Sequence, residues 1–132
     1  MKTFLILASL MLAAGGAWAA GGAWAAEPVD LVKQGQQIFE DNCAQCHRKS
    51  GQGLPGTFPA LDKNLFVLGN PTPVLATVLN GRRGSLGRMP AWKDQFNDQQ
   101  MAAVVTYIRQ AWTNRAPAVT PEMAAEARKI KK

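Results

Sequence analysis

The chain has 132 residues, a formal net charge of +6, 47% hydrophobic residues, two cysteines and one histidine. That length supports one small domain with a limited core, and so few Cys and His side chains exclude a four-ligand structural zinc site. The basic balance points to acidic protein partners or an anionic membrane surface, and no basic-aromatic array accompanies it to suggest nucleic acid.

Lys2 precedes the apolar run Phe4 to Ala14 and a stretch rich in Ala and Gly, the pattern of a secretory signal peptide. A tandem repeat, Gly15-Gly16-Ala17-Trp18-Ala19-Ala20 then Gly21-Gly22-Ala23-Trp24-Ala25-Ala26, places an Ala-x-Ala cleavage pattern in each copy. The second copy is the expected site, because Glu27-Pro28-Val29-Asp30 opens like a soluble mature chain. The rival is a retained anchor: no charge occurs between Lys2 and Glu27, and about 20 apolar residues span a bilayer. Its strongly apolar part is short for a span, so membrane association is expected only if this segment stays uncleaved. The expected organisation is a signal peptide over 1–26 and one domain over 27–132, with a core at about 30–114 and an extension at 115–132. Export adds to the case against a nucleic-acid partner.

Asp30 to Asn42 is predicted helical, with Val32, Gly35, Ile38 and Phe39 at helical spacing. Glycine inside a helix costs up to about 1 kcal/mol against Ala, and close approach of a second helix is a common reason to tolerate it. Next comes Cys43-Ala44-Gln45-Cys46-His47. Cys-x-x-Cys-His is the spacing of c-type haem attachment: each vinyl group takes one thioether, and the adjacent imidazole becomes the proximal axial donor. A thioredoxin-like site would need a strand-helix-strand context and a lowered thiol pKa, whereas the flanks read as helix and then Gly-rich loop. A simple disulfide is the remaining rival. Haem attachment of this kind belongs to oxidising compartments such as the bacterial periplasm, the destination that the N-terminus also predicts. In so small a domain the haem is expected to centre the core, as a structural metal does elsewhere.

Arg48 to Pro59 is dense in Gly and Pro and predicts a loop on the proximal side. Lys63 to Leu68 reads as a short helical turn ended by Gly69; Thr72-Pro73 reads as an N-cap and first helical residue for Val74 to Leu79, with Gly81 ending that helix. Arg82-Arg83-Gly84-Ser85-Leu86-Gly87-Arg88-Met89-Pro90-Ala91-Trp92 is a Gly-rich segment that can pass close to a flat ring. With His47 the single histidine, bis-histidine ligation within the chain is excluded, and methionine is the natural sixth ligand. Met101 sits on an apolar helical stripe and Met123 in the tail, so Met89 is assigned the distal role, against the alternative of an open or water-bound position. Trp92 has two readings, an indole N–H reaching a haem propionate or plain core packing.

Asn97 to Thr113 is the clearest helix, with Asn97 as N-cap, Gln100 completing a capping box, and Met101, Val104, Val105, Ile108, Ala111 and Trp112 on one face. Tyr107, Arg109 and Gln110 lie away from part of that stripe. After a linker over Arg115 to Val119, Thr120-Pro121 caps a short helix in which Met123, Ala127 and Ile130 share a face. This extension either docks on its own domain, docks on a partner, or frays in solvent. No run alternates in the manner of a strand, so the prediction is all-α with long loops.

A first helix ending in Cys-x-x-Cys-His, a Pro-x-Leu segment, a Met-Pro loop and a last helix together resemble the class I cytochrome c family over about Asp30 to Asn114. The resemblance implies the cytochrome c fold, three to five helices with long loops around one covalently bound haem c. It implies that the Pro59 carbonyl of Pro59-Ala60-Leu61 bonds the His47 imidazole, with Pro55 the competing candidate, and that Gly35 and Phe39 pack on Tyr107. The expected function is periplasmic one-electron transfer by a non-enzyme whose iron is held by His47 and Met89 and whose haem is joined to Cys43 and Cys46. Redox proteins, acidic where they dock, are the expected partners, with Lys33, Arg48, Lys49, Arg82, Arg83, Arg88 and Lys93 as a candidate rim. A dedicated cytochrome subunit of a periplasmic dehydrogenase is the alternative. A gas-binding or peroxidase-like protein ranks below it, since no acid-base pair for peroxide chemistry is evident.

Overall fold

Two helices cross at a glycine and set the frame of the domain. In a computed structural model, which describes residues 28–84 and 87–130, α1 spans Pro28–Asn42 and α5 spans Asp98–Gln110. A Cβ on Gly35 would lie 2.0 Å from the Ala103 carbonyl oxygen and 2.8 Å from Tyr107 Cβ. The two backbones therefore meet at a separation that any larger side chain would prevent. Fully buried Phe39 lies 5.4 Å from the Tyr107 ring and 5.5 Å from the Trp112 ring, which bears out the expected packing of Gly35, Phe39 and Tyr107. The predicted signal peptide lies outside the described residues.

Between these helices the chain forms α2 (Ala44–His47), α3 (Leu65–Leu68), α4 (Pro71–Asn80), β1 (Arg82–Arg83) and β2 (Arg88–Met89), and α6 (Pro121–Arg128) follows α5. The architecture is mostly helical, with α2 and α3 single turns. The strands pair antiparallel, Arg82 opposite Met89 and Arg83 opposite Arg88. They depart from the strand-free prediction because two residues are too few to show alternation. Val74, Leu75, Val78 and Leu79 of α4 meet Met101, Val104, Val105 and Ile108 of α5 in the core, each such side chain worth about 1.5–3 kcal/mol when fully removed from water.

Helix boundaries differ from prediction at several places: α1 begins at Pro28, before the predicted Asp30, and α3 begins at Leu65, because Lys63 has φ 55° and Asn64 is the cap. α4 starts at Pro71, with the Asn70 side chain accepting from the Thr72 backbone N–H at 2.9 Å, so Thr72 is inside the helix. Asn caps at least as well as Thr, and Pro71 and Pro73 both fall in the first turn, where no intrahelical N–H is needed. The capping box at Asn97 and Gln100 forms as predicted, with bonds of 2.8 and 3.0 Å. However, α5 stops at Gln110, and Ala111 and Trp112 leave the helix, Trp112 with φ 56°. Its last carbonyls are taken by other groups: Asn114 Nδ2 donates to Ile108 at 2.8 Å, and the Ala116 backbone N–H donates to Arg109 at 3.0 Å.

The C-terminal extension docks on its own domain. Thr120 caps α6, Val119 and Ala127 are buried, and Ala124 is fully enclosed against α4 and α5. Val119 also exchanges two hydrogen bonds with the Thr106 hydroxyl, at 2.9 and 3.2 Å. Arg109, expected off the apolar stripe, is buried and donates to the carbonyls of Val67, Gly69 and Pro117 at 2.6, 2.8 and 3.1 Å. It satisfies the orphan carbonyls at the end of α3. Among the described residues no helix is long and apolar enough to cross a membrane.

Candidate cofactor site

The end of α1 delivers the cysteines. Cys43 N–H donates to Phe39 at 2.8 Å and His47 N–H donates to Cys43 at 2.9 Å, so the pentapeptide makes one further helical turn. Cys43 and Cys46 then stand three residues apart on neighbouring positions of that turn. With His47 they line a cavity of about 840 Å³ whose apolar wall includes Leu61, Val67, Val74, Val78, Val104 and Ile108. That volume lies in the range of cofactor and ligand pockets, roughly 300–1,000 Å³.

His47 Nδ1 lies 3.0 Å from the Pro59 carbonyl oxygen. A carbonyl only accepts, so Nδ1 carries the proton and Nε2 keeps its lone pair. Burial lowers the imidazole pKa and the Pro59 bond opposes that shift; the neutral ring is the form that binds metal. Of the two prolines, Pro59 takes this position; both it and Pro55 border the cavity. The loop behind Pro59 is tied down by Leu61 N–H to Gly51 (2.7 Å), Asn114 Nδ2 to Leu61 (3.0 Å), and Lys63 N–H to Asn114 Oδ1 (2.8 Å). Asp62 accepts from the Thr113 hydroxyl at 2.6 Å, and the Trp112 indole donates to Lys49 at 2.7 Å.

Burial, with Cys46 beside it, pushes the Cys43 thiol up to about 12, the reverse of the lowered pKa that a redox Cys-x-x-Cys requires. Cys43 and Cys46 are both free thiols and both border the cavity.

Met89, on β2, borders the same cavity. Met101 is wholly enclosed in the core, and Met123 borders a separate depression beside α6. Gly81 (φ 71°) lets the end of α4 close on β2, since a Cβ there would lie 2.5 Å from the Met89 carbonyl oxygen. Trp92 borders the cavity half-buried and stacks on Phe96, ring centres 5.0 Å apart and planes 4° from parallel. It thus satisfies the packing reading.

Of the predicted basic rim, Arg82, Arg83 and Arg88 are exposed and border the cavity. Lys49 is paired with Glu40 at 3.1 Å. Lys33, Arg48 and Lys93 are exposed but do not border it. Trp112, Asn114 and Arg128, which the sequence reading did not single out for the site, tie its loops in place.

One imidazole and one thioether would be a sparse donor set for a bare ion, but they suit an iron whose equatorial positions a porphyrin fills. Two thiols, a neutral imidazole with Nε2 unprotonated, a methionine and an apolar wall on one cavity fit a haem c.

Comparison with known proteins agrees. The chain is 34% identical over 91 residues to the cytochrome c subunit of an alcohol dehydrogenase (quinone) from Gluconobacter oxydans (strain 621H), covering 63% of this chain and 19% of that protein. The chain thus spans about a fifth of that relative's length. It is 29% identical over 111 residues to cytochrome c-552 of Thermus thermophilus, covering 74% of this chain and 83% of that one. Among solved structures, the c-type cytochrome XoxG from Methylobacterium extorquens AM1 shares the fold, with TM-score 0.51, 22% identity, and coverage of 75% of this chain and 65% of that one. The family model described as cytochrome c oxidase, cbb3-type, subunit III matches residues 30–108. That match spans the pentapeptide, the Pro59 loop, Met89 and most of α5, and by it the chain belongs to this family of class I c-type cytochrome domains.

Proposed function

We propose that this chain is a periplasmic one-electron carrier holding one haem c through thioethers to Cys43 and Cys46, with His47 and Met89 as axial ligands. The observation that carries this reading is the single cavity bordered by all four side chains. When bound, the haem supplies a ferrous/ferric couple, and His/Met ligation raises its potential. His47 presents Nε2 as donor while the Pro59 carbonyl holds the opposite N–H, which fixes the tautomer and strengthens the ligand. The valines, Leu61 and Ile108 keep water from the ring, and the Trp92 indole N–H is the proposed donor to a propionate.

Arg82, Arg83 and Arg88 form the basic lip at which an acidic redox partner docks. Among the described residues none of the three has an ion-pair partner. Their charge acts on encounter rate, so electron transfer should slow as ionic strength rises; a flat profile removes this docking site. Residues 1–26 are proposed to direct export and to be cleaved after Ala26, which N-terminal sequencing of the exported protein tests. Retention of that segment is the route by which the protein would stay on the membrane.

The test of the covalent haem is a haemochrome spectrum of the denatured protein. Haem that stays with the polypeptide, at the band position of two thioethers, is expected; haem removed by acidified solvent contradicts the reading. A second reading, a dedicated subunit of a periplasmic dehydrogenase, is favoured by the resemblance to the Gluconobacter subunit. Co-purification with a larger catalytic chain would select it over a diffusing shuttle.

A further inference from the structure

The turn after Met89 is held from two sides. On one side the end of α4 accepts from the backbone N–H groups of Trp92 (Val78 carbonyl, 3.2 Å) and Lys93 (Leu79 carbonyl, 3.1 Å). On the other side stands Arg128, in the last turn of α6. Its Nη1 donates to the Lys93 carbonyl at 2.6 Å, Nη2 donates to the Phe96 carbonyl, and Nε pairs with Asp98 at 2.5 Å. One planar guanidinium thus holds both carbonyl-bearing ends of the 93–96 segment and the first turn of α5, an arrangement that its fixed fork of donors allows and a lysine ammonium does not reproduce. Phe96 in turn is the ring on which Trp92 stacks at the cavity wall.

We infer that Arg128 is a positioning residue for the distal ligand: through it the C-terminal helix clamps the 92–96 turn and holds the Met89 loop closed over the cavity. The inference rests on the reading of Met89 as an iron ligand. Arg128 is anchored for the role, because Ala124 and Ala127 seat α6 in the core. The side chain itself is 27% exposed, and Arg128→Lys keeps most of its aliphatic stem, which separates lost hydrogen bonds from lost packing.

The test uses the ferric holoprotein and reads affinity for added imidazole, which binds iron only when the methionine leaves. Loss of charged hydrogen bonds to the turn should raise that affinity about tenfold or more in Arg128→Ala. Arg128→Lys should recover part of the difference, and amide exchange over Trp92 to Phe96 should quicken in Arg128→Ala. Thr113→Val, which loosens the opposite side of the cavity by removing the hydroxyl bond to Asp62, serves as the control and should leave imidazole affinity within about twofold of wild type. Equal imidazole affinity in wild type and Arg128→Ala, or an equal rise in Thr113→Val at matched loss of thermal stability, overturns the inference. If instead Met89→Ala leaves imidazole affinity unchanged, Met89 is not the ligand displaced and the underlying reading fails with it.

Discussion

The loop behind His47 and the loop carrying Met89 border the same cavity but are secured by different means. Residues 49–63 are stitched to the end of α5: the Trp112 indole holds Lys49, Asn114 holds Leu61 and Lys63, and Thr113 holds Asp62. Residues 82–93 have a hairpin of two-residue strands, two backbone bonds to α4, and the Arg128 clamp at their far end. Close stitching suits a proximal imidazole whose tautomer must not change. A lighter suspension suits a thioether proposed as the second, weaker axial ligand.

The largest stability effect is expected at the proximal stitching. Asn114 is 1% exposed, and Asn114→Ala strips partners from the Leu61 and Ile108 carbonyls and the Lys63 N–H. Each group left buried and unpaired costs about 1–3 kcal/mol, so denaturant unfolding of the holoprotein should show a loss in that range or above. A loss under about 0.5 kcal/mol, the scale of an ordinary surface substitution, would break the comparison. Trp112→Phe keeps the aromatic packing on Phe39 and Tyr107 and removes the bond to Lys49. It should cost about 1 kcal/mol and quicken amide exchange in residues 49–53 while leaving exchange over 92–96 at the wild-type rate.

The smallest effect is a pH dependence. The Thr113 hydroxyl, chiefly, holds the Asp62 carboxyl below its usual range. A carboxylate whose folded pKa is depressed adds stability that is fully present above its unfolded pKa, about 4, and is lost as pH falls through the lower folded value. Asp62→Asn should therefore flatten the acid limb of a stability-pH profile by lowering stability at neutral pH toward the acid value, with the acid region little changed. An acid limb as steep as that of wild type would remove Asp62 from the stitching.

What could be read in advance were the features written in neighbouring residues. Cys-x-x-Cys-His, the Asn97–Gln100 capping box, and Gly35 between apolar positions each declare themselves within one or two helical turns. Met89 emerged by elimination among the methionines, once a single histidine excluded a second imidazole. The tethers were not legible in this way. Trp112 reaches Lys49 across 63 positions, Arg109 reaches Val67 across 42, and Arg128 reaches Phe96 across 32. Hydrophobic periodicity reports which face of a helix is apolar; it carries no information about which distant carbonyl a buried donor will satisfy. Arg109 illustrates the gap, since a charge at the edge of an apolar stripe reads as solvent-facing until the carbonyls at the end of α3 are known. The strands around Met89 were hidden for a simpler reason: two residues cannot display a period.

The central claim is that His47 and Met89 ligate one iron. It is tested most directly by the weak long-wavelength absorption band of the ferric protein, recorded for wild type and Met89→Ala. The account predicts the band in wild type and its disappearance in the variant, with the haem still attached to the chain. Absence of the band in wild type, or its survival in Met89→Ala, would contradict the account.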